Sequence, residues 1–179
     1  MAKVDDLIKK FGNIIKEQWT KGLSGQEKVW FLVFDPSDLR RMEFNLGELE
    51  ILTNNAGKKW HVLPLGGFFT DWMAQHDYKE AYFEEPEYIS DALQGEFKEY
   101  ALNKLNDMIQ SQNDENTLLV LKDVSSIFGF LKLSELVSAI SNQIKGRLLV
   151  LFPGEHSNNQ YRLMDARDGW DYLARPITL

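Results

Sequence analysis

At 179 residues the chain has room for one well-buried core and too little length for two full domains. Its 44% hydrophobic and 26% charged residues exclude a disordered or fibrous class, and zero cysteines exclude disulfides, thiolate zinc sites and cysteine nucleophiles. The net charge of −7 is uneven: residues 79–99 hold seven acids against two lysines, while the basic residues fall only in pairs such as Arg40 with Arg41 and Lys145 with Arg147, so duplex DNA binding is disfavoured.

In chain order, the three- and four-residue spacing of Val4, Leu7, Ile8, Phe11, Ile14, Ile15 and Trp19 predicts an amphipathic helix over residues 1–20, docked on this domain or on a partner. GLSG at 22–25 ends that pattern. VWFLVFD, 29–35, reads as a central parallel strand covered on both faces. Asp35-Pro36-Ser37-Asp38 then opens a helix, with a cap acceptor, proline in the first turn and an early acid. Leu39, Met42, Leu46, Leu49 and Leu52 or Thr53 give its buried stripe, and Gly57 closes it. WHVLPL predicts a second strand near an edge, since Pro64 cannot donate to a ladder.

GGFFTDWMAQHD predicts a short helix or turn. After EEPE a longer helix begins with Pro86 near its first turn, its stripe running through Ile89, Leu93, Phe97, Ala101, Leu105 and Met108 or Ile109, with Gly95 inside it. NTLLVLKDV is the third strand, LKLSELVSAISNQI a helix stopped by Gly146, and RLLVLF the fourth strand, with Pro153-Gly154 as its exit. The extended segments YRLMDAR and WDYLARPI around Asp168-Gly169 predict a C-terminal hairpin.

Strands alternating with helices imply a single three-layer α/β domain over 1–179, with a mostly parallel sheet that is Rossmann-like or a degenerate P-loop-like fold. Sites in such sheets lie outside the carboxyl ends of the strands. DPSD, KDVSSIFGF, PGEHSNNQ and GGFFTD all fall there. The P-loop pattern is missing, because DPSDLRRM lacks its glycines and lysine and GLSGQEK precedes a strand instead of following one. LLVLKD, ending at Asp123, resembles a magnesium-binding Walker B strand. His61, His76 and His156 have no metal-ligand spacing and read as exposed loop histidines; no nucleophile elbow is present, and Ser125-Ser126 reads as a turn cap.

The expectation is therefore a chain without cofactor, metal or catalytic residues, whose polar and aromatic crest binds another protein. Its candidate residues are Ser126, Phe128, Phe130, Glu155, His156, Asn158, Arg162, Asp165, Arg167 and Trp170. Phe128 and Phe130 serve equally well as an exposed anchor or as cover for the sheet's edge. The alternative is a magnesium-dependent nucleotide- or nucleic-acid-handling enzyme using Asp35, Asp123, Glu155 and Asp165 as acids, which requires strands one, three and four to be neighbours. The apolar runs are too short to cross a bilayer and MAKVDDLIKK lacks a signal-peptide stretch, which with the empty cysteine count suggests the cytoplasm.

The runs VWFLVFDPSDLRRM, AYFEEPE, DENTLLVLKDVSSIFGF and GRLLVLFPGEHSNNQYRLMDARDGWDYLARPI, in this order, resemble the BrxB domain family of bacterial BREX phage-defence systems. The resemblance spans nearly the whole chain, and the last run is its most specific part. It implies a small cytoplasmic accessory subunit working with a PglZ-type phosphatase-like protein, a PglX-type DNA methyltransferase and a large ATPase. It brings no catalytic residues.

Overall fold

Six consecutive apolar residues, Val29–Phe34 (β1), are buried on both faces, which requires a helical layer on each side of the sheet. The computed structural model, which describes residues 2–163, 166–167 and 174–179, supplies both layers. Its elements are α1 (Ala2–Ile14), β1, α2 (Leu39–Phe44), α3 (Leu46–Asn55), β2 (Lys59–Pro64), α4 (Phe68–Gln75), α5 (Lys79–Glu84), α6 (Ile89–Ala92), α7 (Lys98–Gln110), β3 (Thr117–Lys122), α8 (Leu133–Ser141), β4 (Arg147–Ser157), β5 (Gln160–Leu163), β6 (Ala166–Arg167) and β7 (Arg175–Ile177). The sheet runs β2-β3-β4-β1-β7 with every neighbour parallel; β5 returns antiparallel along the outer part of β4, and β6 along β5. The α/β class and the mostly parallel sheet expected from the sequence are both present.

Alternation along β1 divides the core. Val29, Phe31 and Val33 meet Leu105 and Ile109 of α7 and Val137 and Ile140 of α8, while Trp30, Leu32 and Phe34 meet α1 and Leu49 of α3. The N-terminal helix thus packs on its own domain, with Val4, Leu7, Ile8 and Phe11 buried, and it ends at Ile14 instead of reaching residue 20. β2 is an edge strand, as Pro64 requires.

Two predicted helices differ in detail. Asp35 accepts a hydrogen bond from the Ser37 amide and Pro36 begins a tight turn, as expected, but the helix that follows breaks at Asn45, whose side-chain amide donates to the Arg41 carbonyl. Leu39 is consequently 36% exposed, while Met42, Leu49 and Thr53 are buried. The long helix contains a wide i→i+5 turn at Leu93–Phe97. Its stripe repeats strictly every four residues, and each such step drifts by about 40° on an ideal helix; the wide turn takes back part of that drift.

The C-terminal region departs most. β4 does not end at Pro153-Gly154 but runs on to Ser157, and a Cβ at Gly154 would collide with the Arg162 carbonyl oxygen across the pair, so glycine permits the continuation. The hairpin turns at Asn158-Asn159, whose φ values of 52° and 60° suit a two-residue primed turn. Asp168-Gly169 lies outside the described residues. The described end of WDYLARPI is β7, parallel to β1, and not the second arm of an antiparallel pair.

Candidate functional site

Parallel strands deliver their carboxyl ends to one rim of the sheet, and there the chain leaves β1 toward the α2 face and β3 toward the α8 face. An apolar cavity of about 440 Å³ opens between these diverging segments. Phe34, Leu151 and Pro153 floor it; Leu39, Met42, Glu43 and Leu46 form one wall, and Lys122 to Ser126 with Gly66 the other. Asp123 holds a left-handed backbone (φ 62°), a conformation that aspartate tolerates better than most residues. A Cβ at Gly66 would come within 3.0 Å of the Asp123 carboxylate, so glycine there makes room for the acid. The Ser126 hydroxyl lies 2.6 Å from the Asp123 carbonyl and 3.1 Å from that of Leu65, binding the β3 exit to the β2 exit. It serves as a donor between two loops, not as the acceptor of a turn cap.

On the other side of β4 a groove of about 390 Å³ collects Asp35, Asp38, Glu155 and His156 with Lys3 and Leu7 of α1 and the terminal Thr178 and Leu179. His156 packs its ring 4.5 Å from that of Tyr161, and burial pushes its pKa below the ordinary histidine value. Tyr161 is buried and donates its hydroxyl proton to the Ala174 carbonyl at 3.0 Å; burial raises the phenol well above its usual range. Side chains alternate along β5, with Tyr161 and Leu163 buried and Arg162 half-buried. Arg162 stands opposite Glu155 in the ladder, and its Nε is enclosed without a hydrogen-bond partner among the described residues.

The candidate residues therefore fall in separate places. Ser126 borders the cavity, Glu155 and His156 line the groove, and Asn158 is an exposed turn residue at the hairpin tip. Phe128 and Phe130 divide the two roles weighed for them: Phe128 is 41% exposed, whereas Phe130 stacks on Phe69 with centroids 4.0 Å apart. Asp165 and Trp170 lie outside the described residues, and of Arg167 the structure describes only its strand. His76 is a correction: its side chain is 8% exposed, its Nε2 sits 2.8 Å from Glu96 Oε2, and its ring packs on Trp72 and Tyr82.

β3, β4 and β1 are neighbours, the condition set for Asp123, Glu155 and Asp35 to share one rim. Among the described residues, however, no three histidine, aspartate or glutamate side chains gather into a group able to hold a metal ion. Asp35 is occupied locally, accepting from both the amide and the hydroxyl of Ser37, bonds that hold its carboxyl below the usual range. The sequence reading missed the cavity wall. Leu39, Met42 and Leu46 read only as a buried stripe, and the break at Asn45 that leaves part of it open carries no strong local signal. No helix among the described residues is long and apolar enough to cross a membrane. Neither a protein-family model, nor a curated protein, nor a solved structure matches this chain.

Proposed function

We propose that the chain is a non-catalytic accessory subunit of a BREX-type phage-defence complex, working in the cytoplasm and binding a PglZ-type partner through the carboxyl rim of its sheet. One observation carries the binding role: the rim presents an apolar cavity flanked by the exposed Leu39 and, just beyond Ser126, by the exposed Phe128, while its polar groups Asp35 and Ser126 are engaged in local structure. A pocket for one apolar anchor beside an aromatic offered in return is the pattern of an interface hot spot. The BREX assignment is supported by the sequence runs quoted above. The PglX-type methyltransferase and the large ATPase are further partners that the resemblance implies.

The test is retention of a purified PglZ-type protein by the immobilised chain. Wild type should retain it, and Leu39→Ser combined with Phe128→Ser should weaken binding at least about tenfold, since hot-spot residues each contribute more than about 1 kcal/mol. An unretained partner, or a correctly folded double variant that binds like wild type, overturns the proposal.

The strand order favours one second reading, a magnesium-dependent nucleotide-handling enzyme. With β4 between β1 and β3, Asp35, Asp123 and Glu155 leave neighbouring strands at one rim, and Asp123 ends an apolar strand of the kind that carries a Walker B magnesium ligand. A saturable rise in melting temperature with magnesium and ATP that Asp123→Asn abolishes would favour this reading over the first.

A further inference from the structure

The opposite rim of the sheet gathers what the sequence scatters. Lys28 immediately precedes β1, Lys58 precedes β2, and Lys145 and Arg147 bracket the start of β4; together with Lys21 they line a polar basin of about 670 Å³. One carboxylate, Glu115, shares it, and in a chain of net charge −7 five cations against one acid is a local inversion of sign. Lys21 and Glu115 lie 3.6 Å apart at its exposed edge, which leaves the interior cationic.

Arg147 makes this more than a surface patch. It is 5% exposed, donates to the Gly146 and Thr20 carbonyls at 2.9 and 3.0 Å, and has no carboxylate within ion-pair distance among the described residues. A buried charge met only by carbonyl dipoles is costly unless something compensates it. Beside it stands Trp19, with Lys58 Nζ 4.2 Å and the Arg147 guanidinium 5.2 Å from the ring centre. The Trp19 indole N–H is enclosed and has no acceptor among the described residues. A buried unpaired cation and two lysines on a concave surface share one complement, which is a multiply charged oxyanion with several acceptor oxygens.

We propose that this basin binds a phosphate-bearing small molecule, with Arg147, Lys58 and Lys145 meeting the charge beside the Trp19 ring. The volume falls in the range of small-ligand sites, roughly 300–1,000 Å³. The site is separate from the carboxyl rim and does not rest on the protein-binding role.

Titration at constant ionic strength and without magnesium tests it, using inorganic phosphate, pyrophosphate and AMP as separate probes and following the indole N–H resonances by NMR. The Trp19 signal is the one missing from Trp19→Phe. Pyrophosphate or AMP should move it saturably, with AMP alone favouring a nucleotide and pyrophosphate alone a free polyphosphate. Lys58→Gln and Lys145→Gln, both at the basin's accessible edge, should each weaken the binding about tenfold, the loss expected of one charge-assisted hydrogen bond. A Trp19 signal that none of the three probes moves, or a shift that both substitutions leave unchanged, overturns the proposal.

Discussion

His156 shows how a single side chain connects the candidate rim to the core. Its ring rests on Tyr161, and Tyr161 in turn packs on Phe31 of β1 and Phe152 of β4, with centroids 4.5 and 5.8 Å away. Because burial lowers the histidine pKa in the folded protein, the unfolded chain binds the proton more readily in the window just below the ordinary value of 6.5. Stability attached to the neutral ring is thus complete above that value and is lost as pH falls through the folded pKa. We expect His156→Gln to gain on wild type as pH drops from about 7 to about 5, the region where histidine titrates, read as the difference between their urea midpoints. A difference that stays constant over this range would mean that the ring titrates as it does in the unfolded chain. Arg162, the neighbour of Tyr161, was legible from sequence as a polar residue of the candidate crest, but not as an enclosed one. Its enclosed Nε depends on the hairpin continuing β4, and the sequence stops that strand at Pro153-Gly154.

Among the elements, the helices and buried strands were the most readable, because one periodicity decides each of them. VWFLVF and TLLVLK are apolar on both faces and can only be interior strands, and the four-residue stripe of α7 sits where the sequence puts it. What stayed hidden depends on contacts distant in sequence. Pro153-Gly154 carries every mark of a strand exit, yet the β5 carbonyl that excludes a side chain at Gly154 belongs to a segment eight residues further on. Gly95 is the counterpart inside a helix. It lies exposed in the wide turn, with open space where a Cβ would stand and no positive φ. Alanine should therefore fit there without strain and restrict the unfolded chain, raising stability by about 0.5–1 kcal/mol. Chemical denaturation of Gly95→Ala checks this, and a loss of stability would show that the turn needs glycine for a reason its open surroundings do not reveal.

For the molecule as a whole, the question left open by the sequence was whether the N-terminal helix belongs to this domain or to a partner. Val4, Leu7, Ile8, Phe11 and Ile15 are all buried, and they cover Trp30, Leu32 and Phe34 of β1 and Ile177 of the edge strand. Arg41 of α2 makes two 3.0 Å contacts with the Asp5 carboxylate, and Lys10 reaches the carbonyl of Thr178, a residue of the groove that holds Glu155 and His156, at 2.6 Å, so the helix is also tied to α2 and to the C-terminal segment. Burying five such side chains is worth about 10 kcal/mol at roughly 1.5–3 kcal/mol each, comparable with the entire stability of a domain, about 5–15 kcal/mol. A chain lacking residues 1–16 should therefore fail to fold, losing its cooperative thermal transition by circular dichroism and exposing the apolar face of β1 to aggregation. If that shortened chain melts cooperatively near the wild-type temperature, α1 is an accessory arm available to a partner, and the groove it walls is not a fixed feature of the rim.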